Sequence, residues 1–115
     1  MARWKKSSPE EKQKLAARLR AALARRKGIS EKRMFGGTCF LLNGNMLCGT
    51  GSGDFMFRVG KAAHAKALAR AGAKPMRMNG RLMEGFIWVS PDTRALAAWI
   101  KLATAHVAGL PRKRR

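Results

Sequence analysis

The sequence predicts an α+β domain of two layers, an antiparallel five-stranded sheet with helices, in the order α-β-β-β-α-β-β-α. Three observations predict it. Asn43-Gly44 and Asn79-Gly80 each lie between apolar runs, a strong hairpin signal because a type I′ turn needs positive φ at both central residues. Separate stretches repeat apolar residues at helical spacing. The chain has 115 residues, 46% of them hydrophobic, which suits one modest core.

Residues 1–7 read as a flexible basic arm, 8–111 as the single domain and 112–115 as a basic tail. Ser8 is the expected N-cap of the first helix, with Pro9 at its first position and Glu11 closing a capping box. Leu15, Leu19, Ala22 and Leu23 form its apolar stripe, and Gly28 is its expected terminator. Residues 29–33 lead into a hairpin whose strands are 38–42 and 46–49, and 55–59 is a third strand. Residues 61–71 make a second helix with a small-residue packing face of Ala62, Ala65, Leu68 and Ala69. Residues 74–78 and 81–89 flank the second Asn-Gly turn as strands four and five, with Gly85 marking a bulge. Ser90-Pro91-Asp92 opens a third helix by the logic of the first, and Leu96, Trp99, Ile100, Ala103 and Val107 form its stripe.

If Asn43 and Gly44 are the central turn residues, Leu42 pairs with Asn45, Leu41 with Met46, Phe40 with Leu47 and Cys39 with Cys48. Such a cysteine pair has Cα atoms about 4.5 Å apart, the short edge of the roughly 4.4–6.8 Å that a disulfide tolerates. Cys39 and Cys48 are therefore read either as a strained, easily reduced redox pair or as two small buried hydrophobes.

Other chemistry finds little support. Gly36-Gly37 is not followed by a Walker A or GxGxxG pattern, so it reads as a bulge or bend at the start of a strand and not as a phosphate cradle. A zinc site would need Cys39, Cys48, His64 and His106, whose intervals lack paired ligand spacing. Neither histidine has a cysteine or serine at motif spacing, and both read as surface or helix-end residues. Glu84, between apolar residues, is expected in an ion pair with Arg58 or Arg81. The expectation is a protein that is not an enzyme, with no cofactor and no metal.

Charge is the extreme feature, with 25 Lys and Arg against 6 Asp and Glu, a formal +19. Residues 1–27 carry +8, residues 28–111 carry +7 and residues 112–115 carry +4. Such a field attracts nucleic acid or another polyanion, although a merely solubilising role also fits. The candidate nucleic-acid-binding residues are Lys14, Arg18, Arg20, Arg25, Arg26 and Lys27 on the first helix, with Arg112, Lys113, Arg114 and Arg115 in the tail. No recognition-helix, zinc-finger or RNP pattern accompanies them, so binding is expected to be indifferent to sequence and steep in salt. Trp4, in the basic arm, is placed to stack on a base. Two cysteines, no apolar leader and no membrane-length run point to the cytoplasm, with nucleoid association also fitting the charge.

Several separated motifs fall in one order: Met34-Phe35-Gly36-Gly37, Asn43-Gly44, Arg58-Val59-Gly60, Met83-Glu84-Gly85-Phe86 and Ala98-Trp99. Over residues 16–111 they resemble the N-terminal domain of the TfoX/Sxy competence regulators. The resemblance implies a compact two-layer α+β domain with an antiparallel sheet, in which Met34, Phe35, Gly36, Gly37, Asn43, Gly44, Arg58, Gly85 and Trp99 are structural. It implies a bacterial regulatory or adaptor module that acts through protein contacts, and it supplies no catalytic residues. The protein partner is unknown, as is the oligomeric state. Full-length members of the regulator class carry a second, helical C-terminal domain.

Overall fold

A computed structural model describes residues 9–34, 37–51 and 53–112. In chain order they form helix α1 (Pro9–Ala22), strands β1 (Ile29–Met34), β2 (Gly37–Leu42), β3 (Asn45–Gly51) and β4 (Asp54–Arg58). A 3-10 turn (Lys61–Ala63) then runs into helix α2 (His64–Leu68), followed by β5 (Ala73–Met78), β6 (Arg81–Val89) and helix α3 (Leu96–Val107). The strands make one antiparallel sheet in the order β1-β2-β3-β4-β6-β5.

The class is the predicted one, but the sheet has six strands and not five. The additional strand is β1, whose residues pair with β2 from Ile29↔Leu42 to Met34↔Gly37. Its sequence, Ile-Ser-Glu-Lys-Arg-Met, shows no apolar alternation because Ser30 through Arg33 are solvent-exposed on an edge strand. Charge along that edge discourages further strand pairing. The opposite edge, β5, carries Pro75, Lys74 and Arg77 to the same effect.

Both Asn-Gly turns form, with φ of 53° and 85° at Asn43 and Gly44 and 53° and 77° at Asn79 and Gly80. The register runs as read for Leu42↔Asn45 and Leu41↔Met46 and then slips, giving Phe40↔Cys48 and Cys39↔Gly49. Strand β3 holds the extra residue of a β-bulge, so Leu47 and Cys48 both enter the main core although they are consecutive. The expected pairing of Phe40 with Leu47 and of Cys39 with Cys48 is thereby corrected.

The helices also differ from expectation. Helix α1 ends at Ala22, and a short turn carries the chain to Gly28, which at φ 84° redirects it into β1. Ser8 lies outside the described residues. Ser90, Pro91 and Asp92 form a turn, closed by Thr93 N–H to Ser90 O at 3.2 Å, and α3 starts only at Leu96. Arg18 Nη1 donates to Pro91 O at 2.7 Å and Nη2 to Thr93 O at 3.3 Å, which holds that turn against α1. The second helix is shorter than the expected 61–71 because its first turn is 3-10 and it ends at Leu68.

All three helices pack on one face of the sheet. Leu15, Leu19 and Leu23 of α1, Ala67 of α2 and Trp99, Ala103 and Val107 of α3 share a core with Phe40, Leu42, Leu47, Phe55, Phe57, Ile87 and Val89. Trp99 stacks on Phe57 with ring centroids 5.8 Å apart and planes 17° from parallel. A second, smaller cluster on the other face buries Cys39, Met56 and Met76, with Met46, Met83, Phe86 and Trp88 packed around them. Among the described residues it contains strand side chains alone.

Trp99 is 1% exposed and joins α3 to the sheet centre. Trp99→Ala is expected to cost about 3–5 kcal/mol, read as a fall in the urea midpoint with the slope of the transition preserved.

A basic groove as the candidate functional site

The C-terminal end of α1, the outer side of α3 and the β2–β3 turn border two adjoining hollows. The first, about 580 Å³, lies between α1 and α3, with Arg25, Arg26 and Lys101 over a floor that includes Leu23, Ala97 and Ile100. The second, about 680 Å³, shares Arg25 and Arg26 and adds Lys27, Asn43 and Arg112. Together they form a groove with five cations, Arg25, Arg26, Lys27, Lys101 and Arg112, and no carboxylate among the lining residues. Asn45 Nδ2 donates to Pro111 O at 2.8 Å, which ties the chain beside Arg112 to the hairpin and brings that arginine to the groove. The Thr104 hydroxyl, also part of the lining, is buried without a hydrogen-bond partner among the described residues.

The candidate cations divide by what they touch. Arg25, Arg26, Lys27 and Arg112 gather in the groove, while Lys14 is exposed elsewhere on α1. Arg18 is committed to the Pro91 and Thr93 carbonyls and lies 5.0 Å from the Phe55 ring centroid. Arg20 makes a bidentate pair with Glu31 at 2.6 and 2.8 Å, tying α1 to β1. Hydrogen bonding from Arg20 holds the Glu31 carboxyl below the usual carboxylate range, so the pair persists well into mild acid. Lys113, Arg114 and Arg115 lie outside the described residues, as does Trp4. Lys101 escaped sequence reasoning because the turn after α1 and the middle of α3 are distant in the chain and meet only in the fold.

The cysteines do not form a site. The bulge sends Cys48 into the helix-side core and Cys39 into the opposite cluster, so the register that would favour a disulfide is gone. Burial pushes the Cys39 thiol up to about 11, against a small opposing pull from Lys32, and pushes Cys48 higher still. Neither is an activated nucleophile. The proposed zinc set is likewise not assembled, and no cluster of three or more His, Cys, Asp or Glu occurs among the described residues. Glu84 is exposed and forms neither of the two ion pairs seen among them. Arg58 instead donates to Met46 O at 3.5 Å and sits 5.6 Å from the Phe86 ring centroid.

Two of the recurrent motifs meet in space. Arg58 pairs with Phe86, and the N–H groups of Val59 and Gly60 both donate to Gly85 O, at 2.7 and 3.1 Å. Gly85, at φ 90°, donates its own N–H to His64 Nδ1 at 2.9 Å. A Cβ on Gly85 would come within 3.0 Å of the Gly60 carbonyl carbon. His64 thus fixes the start of α2 against the sheet, while the His106 ring at the end of α3 covers Gly60. The joint ties the end of β4 and the start of α2 to β6. Of the first motif, Phe35 and Gly36 and the side chain of Met34 lie outside the described residues, while Gly37 pairs with Met34 at the start of β2.

No described helix is long and apolar enough to cross a membrane. The family model of the TfoX N-terminal domain matches residues 21–107. No curated protein and no solved structure matches significantly.

Two outcomes follow from this geometry. Gly85→Ala is expected to destabilise the fold by roughly 1–3 kcal/mol, measured by urea unfolding, since the side chain meets both an unfavourable φ and the Gly60 backbone. The raised thiols set an alkaline dependence. Unfolded cysteine ionises near about 8.5, whereas Cys39 holds its proton to about 11. Stability contributed by the protonated thiols is therefore complete below the unfolded value and is lost as pH rises above it. A pH series of urea melts is expected to fall more steeply above about 8.5 in the native chain than in Cys39→Ala/Cys48→Ala.

Proposed function

The chain belongs to the TfoX N-terminal domain family, and we propose that it serves as a non-catalytic regulatory adaptor whose basic groove holds nucleic acid without reading its sequence. The observation that carries the nucleic-acid contact is the groove itself: Arg25, Arg26, Lys27, Lys101 and Arg112 converge with no carboxylate among the lining residues. The basic run of Arg25, Arg26 and Lys27 supplies three of these cations, and the fold adds Lys101 and Arg112 to it.

The chemistry suits a phosphodiester backbone. Arginine forks bind phosphate oxygens in bidentate fashion, and lysine adds a mobile point charge. The lining has no aromatic stacking platform and is not one helix laid out for a major groove, so contacts to phosphate dominate. The buried thiols, which are not activated as nucleophiles, are compatible with the non-catalytic reading. Protein contacts, the other mode open to an adaptor, fit a second surface, the sheet face that no described helix covers.

The test is an electrophoretic shift of generic duplex and single-stranded DNA across a salt series. Affinity for duplex is expected to fall with a log–log slope of roughly −4.5 if each groove cation neutralises one phosphate. Arg25→Ala/Arg26→Ala should weaken binding and shorten the slope by about 2. Lys61→Ala/Lys66→Ala removes the same charge from exposed positions outside the groove lining and should leave the slope nearly unchanged. Equal losses in the two doubles would show attraction by net charge alone and would remove the groove from the account.

A further inference from the structure

The face of the sheet opposite the helices carries a methionine-rich apolar floor. Met46, Met83, Phe86 and Trp88 lie there half-buried around the buried Met56 and Met76, and no described helix residue belongs to their cluster. The alternation slips at Gly85, so that Met83 and not Glu84 joins this floor. Unbranched thioethers adapt to differing apolar shapes, which is why surfaces that receive helices or strands from other proteins use them.

The charges placed on this face are mainly positive. The register places Lys32 opposite Cys39, Arg58 opposite Phe86 and Lys74 opposite Trp88, all on this face. Asp54, also placed on this face by register, accepts a hydrogen bond from Lys74 at 3.1 Å and is thereby occupied. Among the described residues Lys32 and Arg58 have no carboxylate within salt-bridge distance, and Arg58 packs over Phe86 while donating to Met46 O.

That charge decides among occupants. A second copy of this chain brings +19 of its own, and like charges brought together at an interface oppose association. The chain's own ends are basic as well, with Arg3, Lys5 and Lys6 at one and Arg112 onward at the other. We propose that the helix-free sheet face docks an acidic amphipathic segment of another protein, its apolar side chains on the methionine–aromatic floor and its carboxylates toward Lys32 and Arg58. This rests on the adaptor reading and names the surface and partner chemistry of its protein contact. Neither half suffices: an apolar segment without acid meets uncompensated cations, and an acidic segment without an apolar stripe leaves the floor wet.

The experiment uses a peptide of about 18 residues, five helical turns of leucine and glutamate with the leucines on one face. It is titrated into the full chain labelled at the methionine methyls. The expected result is movement of the Met46 and Met83 methyl signals, with affinity at least about ten-fold above that of a scrambled peptide of the same composition. Met83→Glu and, separately, Lys32→Glu should each lower affinity about ten-fold. Lys32 is exposed on the edge strand, so its variant remains informative if Met83→Glu unfolds. Arg25→Ala/Arg26→Ala should leave peptide binding intact, so failure of the DNA groove and failure of this face are read separately. Equal binding of the scrambled peptide, or loss of binding in the groove double, would overturn the proposal. Concentration-dependent methyl shifts without peptide, accompanied by a dimer mass in sedimentation, would overturn it in favour of a second copy.

Discussion

The single extra residue in β3 decides what each face of the sheet carries. In an unbroken hairpin the alternation of side chains would put Leu47 and Cys48 on opposite faces. The bulge instead sends both into the helix-side core, where Leu47 and Cys48 are fully buried beneath α1 and α3. From that point β3 meets β4 with Cys48 opposite Phe57 and Thr50 opposite Phe55, and these phenylalanines form the floor on which Trp99 and Arg18 rest. A register without the slip would turn Cys48 out of this core and leave a void beside Phe57. Filling the helix-side face is worth roughly 1.5–3 kcal/mol for each large side chain fully buried, which is ample reason to accept one irregular ladder step.

The same arrangement governs where charge is free to act. Few acids are present, and the fold uses two of them to join elements: Glu31 ties β1 to α1 through Arg20, and Asp54 ties β4 to β5 through Lys74. Exposed pairs of this kind contribute little to stability, but they decide which cations keep their field. Arg20 loses its field to Glu31 and Arg18 is bound to carbonyls, whereas the groove cations converge without a carboxylate among their neighbours in the lining. Net charge is thus a poor guide to the candidate surface. The distribution of the scarce acids is a better one.

Local signals in the sequence were legible wherever backbone conformation is set by one or two residues. The Asn43-Gly44 and Asn79-Gly80 turns form because their φ values are ones that few other residue pairs tolerate. Strand β1 was not legible, since an exposed edge strand has no reason to alternate and pairs only through its backbone. The bulge was not legible either, because nothing in Met46-Leu47-Cys48 announces which of two adjacent apolar residues takes the extra step. Ser90-Pro91-Asp92 looked like a helix start, yet Arg18 captures the carbonyls of Pro91 and Thr93 and delays α3 to Leu96. The groove shows the same limit. Arg25, Arg26 and Lys27 are visible as a basic run, but their meeting with Lys101 and Arg112 is tertiary. The family motifs were legible as motifs, and only the fold shows that Arg58-Val59-Gly60 and Gly85 are two halves of one joint.

A two-layer domain has two outer surfaces of different character, and here they differ more than the architecture requires. The helix layer presents cations with an apolar floor between α1 and α3, while the sheet face that no described helix covers carries half-buried methionines and aromatics edged by Lys32 and Arg58. One core separates them, so a polymer lying along the helices does not obstruct a segment lying on the sheet. Both surfaces are positive, a field that attracts acidic groups and repels basic ones. Hydrophobic residues join the helices to one face of the sheet, and polar chemistry is distributed over what remains outside.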